Sequence, residues 1–162
     1  MKHWRYLFLS VLVILLHQLV QTWGYGLIEA HGGHITVLPF FNLVEVWNPG
    51  VSFGMFQQLV YGQWVLSALA LAIIVVLSRM LCRTTDRIHA AAYSLIIGGA
   101  SGNVLDRILH GAVADYLDFH AFGYHWPAFN VTDGAIFIGV VFLLLPFCSA
   151  LSELRTERKE GN

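Results

Sequence analysis

Hydrophobic residues in this chain fall into four long stretches, separated by segments that hold most of the polar residues. The stretches cover about 6–23, 59–81, 88–105 and 134–151. At 1.5 Å per residue, about 18 helical residues cover most of a hydrocarbon core of ~30 Å. Each stretch therefore predicts a membrane-spanning helix, and the four are expected to lie in one membrane-embedded domain over residues 1–162.

The first hydrophobic stretch also has the outline of a secretory signal peptide, because Lys2 and Arg5 precede it. The segment that follows, HQLVQTWGY, has no small-residue cleavage site and ends in aromatic residues. Trp and Tyr are enriched where a helix leaves the hydrocarbon, so we expect Trp23 and Tyr25 to lie in an interfacial belt. This stretch is therefore predicted to be a retained helix.

The segment 34–56, between the first two helices, is rich in β-branched and aromatic residues and is punctuated by prolines and glycines. This pattern predicts a few short strands and turns. Two interpretations stay open: a loop that rests on lipid headgroups, and a small sheet that binds an extended peptide as an added strand. The segment 106–132, by contrast, is predicted to be a short irregular loop.

The composition supports a membrane protein and excludes several other classes. Of the 162 residues, 57% are apolar and only 12% are charged, with a mean hydropathy of +0.64. The net charge of −1 gives no basic surface for a nucleic acid. Two cysteines, Cys82 and Cys148, do not form a disulfide framework.

The lysines and arginines predict the orientation of the helices. All but Arg107 of the nine lie before the first helix, between the second and third, or after the last. The positive-inside rule places these segments in the cytoplasm. Both termini are therefore predicted to be cytoplasmic, and 34–56 and 106–132 are predicted to face outward.

Carboxylates gather at the predicted outer ends of the last two helices, although a charge near hydrocarbon is costly and usually has a role. Each also has a structural interpretation. Asp133 could be a helix cap or first-turn acid. Asp106 could pair with a cation or backbone, and Asp115 and Asp118 could lie on a solvated loop.

The functional hypothesis is that two of these acids share one proton, because neighbouring carboxylates cannot both ionise. One would then act as a base toward water while the other protonates a scissile carbonyl, with no metal or cofactor. The residues alone do not say which two pair. A metal site is less favoured, since the outer histidines lack ligand spacing, and Ser52 and Ser101 lack a nucleophile elbow.

Four blocks of sequence give the chain a resemblance to the bacterial lipoprotein signal peptidases, also called signal peptidase II, over nearly its whole length. The blocks are WNPGVSFG, GGASGNVLDR, GAVADYLDF and FNVTD. The second and third, at this separation, are the most specific. The matched residues are Asn48, Gly50, Phe53, Gly54, Gly98, Gly99, Ala100, Gly102, Asn103, Asp106, Arg107, Gly111, Val113, Asp115, Asp118, Phe129, Asn130 and Asp133.

The resemblance implies an intramembrane aspartic peptidase whose four-helix bundle carries a small β-cradle on its outer side. The implied catalytic pair is Asp115 and Asp133. Asn48, Asn103, Arg107 and Asn130 are implied to line the site and bind substrate. The implied substrate is a prolipoprotein whose cysteine carries diacylglycerol, cleaved just before that cysteine. We expect a monomer that contacts membrane lipids in the bacterial inner membrane, without a cofactor or nucleic acid partner.

The chain departs from the family pattern at several positions. His17 and Gln21 stand where an aspartate and a lysine are usual, and Ser52 and Thr132 replace alanines. Thr132 could donate a hydrogen bond to Asp133 or cap the last helix. Two alternatives are kept: an inactive or altered-specificity homologue that binds lipoproteins, and a small membrane transporter, which would need acids near the helix centres.

Overall fold

The computed structural model describes residues 4–50 and 61–160, with side chains described as far as residue 145. The elements, in chain order, are the helix α1 (Leu7–Ala30), the strands β1 (His34–Leu38) and β2 (Phe41–Asn48), the helices α2 (Gly62–Arg83) and α3 (Arg87–His110), the strands β3 (Val113–Ala121) and β4 (Tyr124–His125), and the helix α4 (Val131–Glu160). Ser52, Phe53 and Gly54 lie outside the described residues.

Within the part of the chain that the structure describes, three helical segments are long and apolar enough to cross a membrane, namely Trp4–Ala30, Gly62–Arg83 and Arg87–His110. In α4 the shorter apolar stretch Val131–Leu145 is described. The chain therefore has several apolar helices and a small antiparallel sheet, which confirms the predicted fold class at that level.

Helix α3 occupies the centre, because it packs against the other three helices. Its glycines allow this close approach. A Cβ atom on Gly98 would lie 2.8 Å from the Cα atom of Ser10, and one on Gly99 would overlap the carbonyl oxygen of Thr132. These glycines therefore serve the close packing of the helices.

The predicted helix boundaries were wrong at the outer ends, where the helices continue past the end of the hydrophobic stretch. Helix α1 reaches Ala30 instead of residue 23, and α3 reaches His110 instead of residue 105. Backbone hydrogen bonds continue a helix whatever its hydropathy, and α3 ends only where Gly111 adopts the left-handed conformation, with φ of 79°.

The segment 106–132 is not an irregular loop, so that prediction was wrong. After Gly111 it forms strands β3 and β4, which continue the sheet in the order β1-β2-β3-β4. The sequence pattern did not predict this strand because ADYLDFH contains two aspartates, and Asp is generally depleted in strands. Pairing with β2 supplies the backbone partners that make it a strand.

The register of β2 against β3 positions the polar side chains of the sheet. Asn48 lies opposite Val113, and Val46 lies opposite Asp115. Farther along, Asn42 lies opposite Asp118. Each aspartate of β3 therefore has an asparagine of β2 within reach.

Candidate active site

Asp115 lies on β3 with only 2% of its surface exposed. Its Oδ2 atom accepts a hydrogen bond from Nδ2 of Asn48 at 3.0 Å, and its Oδ1 atom accepts one from Nδ2 of Asn130 at 2.9 Å. Burial, reinforced by the nearby charge of Asp133, raises the pKa of Asp115 to about 7. The side chain can therefore hold a proton near neutral pH.

Asp133 lies in the first turn of α4 and takes part in a reciprocal capping arrangement. The backbone N–H of Asp133 donates to Oδ1 of Asn130 at 3.1 Å, while the backbone N–H of Asn130 donates to Oδ2 of Asp133 at 3.3 Å. The other oxygen of Asp133 accepts from Nδ2 of Asn103 at 3.0 Å. The first-turn interpretation is thus correct, and this acid also contacts a predicted site residue.

Asn130 connects the two acids. It is completely buried, its side-chain amide donates to Asp115, and its backbone N–H donates to Asp133. The same amide also lies 3.1 Å from the carbonyl oxygen of Ala114. The structure therefore brings together Asp115 and Asp133 through a single residue, which the sequence alone left open.

Arg107 lies in the last turn of α3 and is largely buried. Its Nη2 atom donates to the carbonyl oxygen of Gly50 at 2.8 Å, and Nη1 donates to that of Asn103 at 3.3 Å. Its positive charge also lowers the pKa of Asp115, although burial and Asp133 outweigh it. The guanidinium therefore supplies a fixed positive charge beside the acids.

A second buried layer, formed by His17 and Asp106, supports the site from α1. The Nε2 atom of His17 lies 3.0 Å from Oδ2 of Asp106, and both side chains are completely buried. The same oxygen accepts the backbone N–H of Ala114 at 3.2 Å, directly before Asp115. Asp106 is thus a structural partner, as one of its interpretations proposed, and it belongs to α3 rather than to a loop.

Sequence reasoning missed two contacts: that of His17 with Asp106, and that of Tyr116 with the start of α4. Gln18 also reaches Asp106, at 3.4 Å. The hydroxyl of Tyr116 accepts the backbone N–H of Val131 at 3.3 Å, where α4 begins, and burial raises the pKa of Tyr116 to about 12. The only available signal for His17 was its departure from the family pattern.

Asp118 lies away from this group. The alternative interpretation of a solvated loop was wrong for it and for Asp115, because both are buried on β3. Asp118 is 6% exposed, accepts from Nδ2 of Asn42 at 2.8 Å, and lies 2.9 Å from Nδ1 of His125. Burial alone would raise the pKa of Asp118, but the hydrogen bonds from Asn42 and His125 outweigh it, so its pKa is lowered. This acid stays ionised.

Comparison with known proteins agrees with this geometry. The sequence model of signal peptidase II matches residues 9–149, which cover most of the chain and include all six predicted site residues. The chain belongs to the signal peptidase II family.

Curated lipoprotein signal peptidases match over similar lengths. The one from Paraburkholderia phymatum is 43% identical over 138 residues, covering 83% of this chain and 82% of that protein. The one from Anaplasma phagocytophilum is 41% identical and covers 82% and 84% of the two chains. The one from Vibrio cholerae serotype O1 is 40% identical and covers 87% and 85%. These matches confirm the predicted family of membrane aspartic peptidases.

A solved structure shares the fold. It is described as a bacterial membrane enzyme, superposes with a TM-score of 0.78 at 26% identity, and covers 92% of this chain and 90% of its own. A second bacterial membrane enzyme structure gives a TM-score of 0.75 and covers 88% and 92%. The signal peptidase II chain therefore has the architecture of a membrane-embedded enzyme.

Proposed function

We propose that this chain is an aspartic endopeptidase that removes the signal peptide from prolipoproteins, with Asp115 and Asp133 as its catalytic pair. The observation that carries the proposal is the pair of carboxylates held by Asn130, of which Asp115 is buried and has a pKa of about 7 while Asp133 is partly buried. Membership of the signal peptidase II family supplies the reaction class. The names of the relatives supply the substrate class.

The chemistry follows from one proton shared between the two acids. The ionised carboxylate takes a proton from water as the water oxygen attacks the scissile carbonyl carbon. The protonated carboxyl gives its proton to the carbonyl oxygen, which forms a neutral tetrahedral diol. Collapse breaks the C–N bond: the departing nitrogen takes the proton that the base had received, and one diol hydroxyl returns its proton to the carboxylate that had donated one, which restores the shared proton.

The surrounding residues orient the acids and moderate their charge. The amides of Asn48, Asn103 and Asn130 each donate to one carboxylate, so they hold the two acids in place. The guanidinium of Arg107 provides positive charge where negative charge develops, in a site with little water to screen it. A fixed array of this kind needs no reorganisation during the reaction.

The position of the site supports a lipid-modified substrate. The acids lie where α3 ends and α4 begins, at one end of the helices. A cysteine that carries diacylglycerol keeps its lipid in the bilayer and its scissile bond at this level. We infer cleavage just before that cysteine, by a monomer in the inner membrane.

The orientation rests on the distribution of charge. Arg79, Arg83 and Arg87 lie at the α2–α3 connection, at the opposite end of α3 from the acids. The positive-inside rule makes that end cytoplasmic, so four spans would put both termini in the cytoplasm and the acids at the outer face. A periplasmic reporter should be active when fused within 110–125 and inactive when fused just after Arg83; activity after Arg83 would overturn this topology.

Purified full-length protein in detergent, incubated with a diacylglyceryl prolipoprotein, tests the activity. We expect a mass loss equal to the signal peptide and a new N-terminal cysteine. The same precursor without the lipid is the matched control and should be cut much more slowly. Binding without cleavage would favour the inactive homologue, and ion flux in liposomes without cleavage would favour the transporter.

A further inference from the structure

The side chain of Thr132 lies between two of the asparagines that hold the acids. It is completely buried in the first turn of α4. Its Oγ1 atom lies 2.5 Å from Oδ1 of Asn103 and in close hydrogen-bonding contact with Oδ1 of Asn130. Thr132 was expected to contact Asp133 or to cap the helix. Instead, its hydroxyl reaches the asparagines, and Asn130 provides the cap.

The hydroxyl has only one proton to donate, so the two contacts are not equivalent. Oδ1 of Asn130 already accepts two backbone N–H groups, from Thr132 at 2.8 Å and from Asp133 at 3.1 Å. These bonds use its two lone pairs and fix the amide of Asn130 without the hydroxyl. The Thr132 proton is therefore directed to Oδ1 of Asn103.

The orientation of Asn103 depends on this hydrogen bond. An asparagine amide can rotate by half a turn, which exchanges its donor and its acceptor. With Oδ1 turned toward the Thr132 hydroxyl, Nδ2 faces Oδ1 of Asp133 at 3.0 Å. The reverse orientation would set an amide oxygen against the carboxylate of Asp133, which is repulsive when that carboxylate is ionised.

We propose that Thr132 is a positioning residue, whose hydroxyl orients Asn103 so that its amide N–H holds Asp133 for catalysis. This proposal rests on the assignment of Asp115 and Asp133 as the catalytic pair. The role belongs to this chain in particular, since the family pattern has alanine here. The methyl group has a separate function, because it fills the space over Gly102, where a Cβ atom would overlap it.

The test compares Thr132→Val with Thr132→Ser in purified full-length protein, using a diacylglyceryl prolipoprotein. Valine keeps the shape and removes the hydroxyl, whereas serine keeps the hydroxyl and removes the methyl. Because a misplaced group near the chemistry costs on the order of 100-fold, we expect Thr132→Val to lower kcat by about 10- to 100-fold, with KM changed by less than about twofold. Thr132→Ser should retain at least about a third of kcat.

A double-mutant cycle with Asn103→Ala separates positioning from a general structural effect. If Thr132 acts through Asn103, Thr132→Val should lower kcat little further in the Asn103→Ala background. Thr22→Val, at an exposed position of α1, is the matched control and should leave kcat unchanged. Equal kcat for the valine and serine variants, or a full valine effect without Asn103, would overturn the proposal.

Two further measurements complete the test. If Thr132→Val does not accumulate in the membrane, Thr132→Ser and Thr132→Ala form a second pair that differs only by the hydroxyl; the serine variant should be faster, and equal kcat would refute the role. Asp133→Asn is assayed beside them. Rapid cleavage by Asp133→Asn would contradict the assignment of Asp115 and Asp133 as the catalytic pair. That outcome is distinct from one that contradicts the role of Thr132 alone.

Discussion

Strand β3 carries two buried aspartates, three residues apart, whose surroundings push their pKa values in opposite directions. Asp115, at the end of β3 near the helices, has a pKa raised to about 7 by burial and by Asp133. Asp118, farther along the strand, has a lowered pKa because the hydrogen bonds from Asn42 and His125 outweigh burial. Three residues along a strand also turn a side chain to the opposite face.

The difference shows that burial alone does not make an acid suitable for catalysis. Both aspartates are almost inaccessible and both accept an asparagine amide. Asp115 has a second acid nearby, whereas Asp118 has a histidine at 2.9 Å that can carry positive charge. Burial and the second acid raise the pKa of Asp115, whereas hydrogen bonds from Asn42 and His125 lower that of Asp118, so only Asp115 can share a proton near neutral pH.

The largest effect is expected from removing either acid of the proposed pair. Asp115→Asn and Asp133→Asn should each lower kcat by at least about 1,000-fold, and the double variant should be little worse, because members of one catalytic unit are not additive. Asp118→Asn should stay within about threefold of the parent enzyme, since it lies outside the pair. Cleavage rates of the purified variants measure this.

The thermal stability of these variants shows whether a loss of activity comes from unfolding. An ionised Asp115 with a raised pKa costs folding free energy at neutral pH, so Asp115→Asn should have an equal or higher Tm. Substantial cleavage by Asp115→Asn, or an equally large loss of kcat in Asp118→Asn, would contradict the prediction that Asp115 is catalytic and Asp118 is not.

The pH dependence of the cleavage rate should be set by the titration of Asp115 and Asp133, and the titration of Asp118 should not affect it. The two acids titrate as a unit, and the last shared proton is lost as the pH rises through about 7. The rate should then fall by about tenfold per pH unit, as expected when an essential acid ionises. A profile measured from about pH 5 to about pH 9 checks this, and a rate that is flat to about pH 9 would contradict it.

A smaller effect is expected from changes to the layer of His17 and Asp106, which supports β3 beside Asp115. His17→Asp would set a carboxylate against Asp106, whose Oδ2 atom holds the N–H of Ala114. Two hydrogen bonds made by Gln18 connect Gln21 to Asp106, so Gln21→Lys could supply the missing cation. We expect His17→Asp to lower kcat by about tenfold and the double change to recover most of it, a coupling of about 1–2 kcal/mol.

A double-mutant cycle on cleavage rate and membrane yield measures that coupling. Strictly additive effects would show that positions 17 and 21 act independently. Because this layer does not contact Asp118, the hydrogen bonds at the outer end of β3 should be unaffected by either change.

The smallest effect concerns the stability of the outer end of β3. The lowered pKa of Asp118 stabilises the fold above the ordinary aspartate pKa of 3.8, and that contribution is lost as the pH falls through the lowered value. Asp118→Asn should therefore lower Tm by a few degrees, on the order of 2–4 °C, at neutral pH. The difference should shrink below about pH 4, and a constant difference would contradict this origin.

Much of the architecture follows from local sequence. The hydrophobic stretches predict the helices because the bilayer requires about 20 apolar residues per span, and the β-branched residues of 34–48 predict β1 and β2. The sequence blocks identify the family and name the candidate acids. Hydropathy does not locate the ends of α1 and α3, because hydrogen bonds and a glycine cap decide where a helix stops.

Only the tertiary structure decided which polar groups meet. Asp115 lies on a strand that no local pattern predicted, Asn130 approaches the acids from the position just before α4, and Asn103 approaches from α3. His17 is about 90 residues from Asp106, yet their side chains are in contact. Local sequence determines which residues prefer helix or strand, whereas the pKa of an acid depends on charges and donors that come close only when distant segments pack.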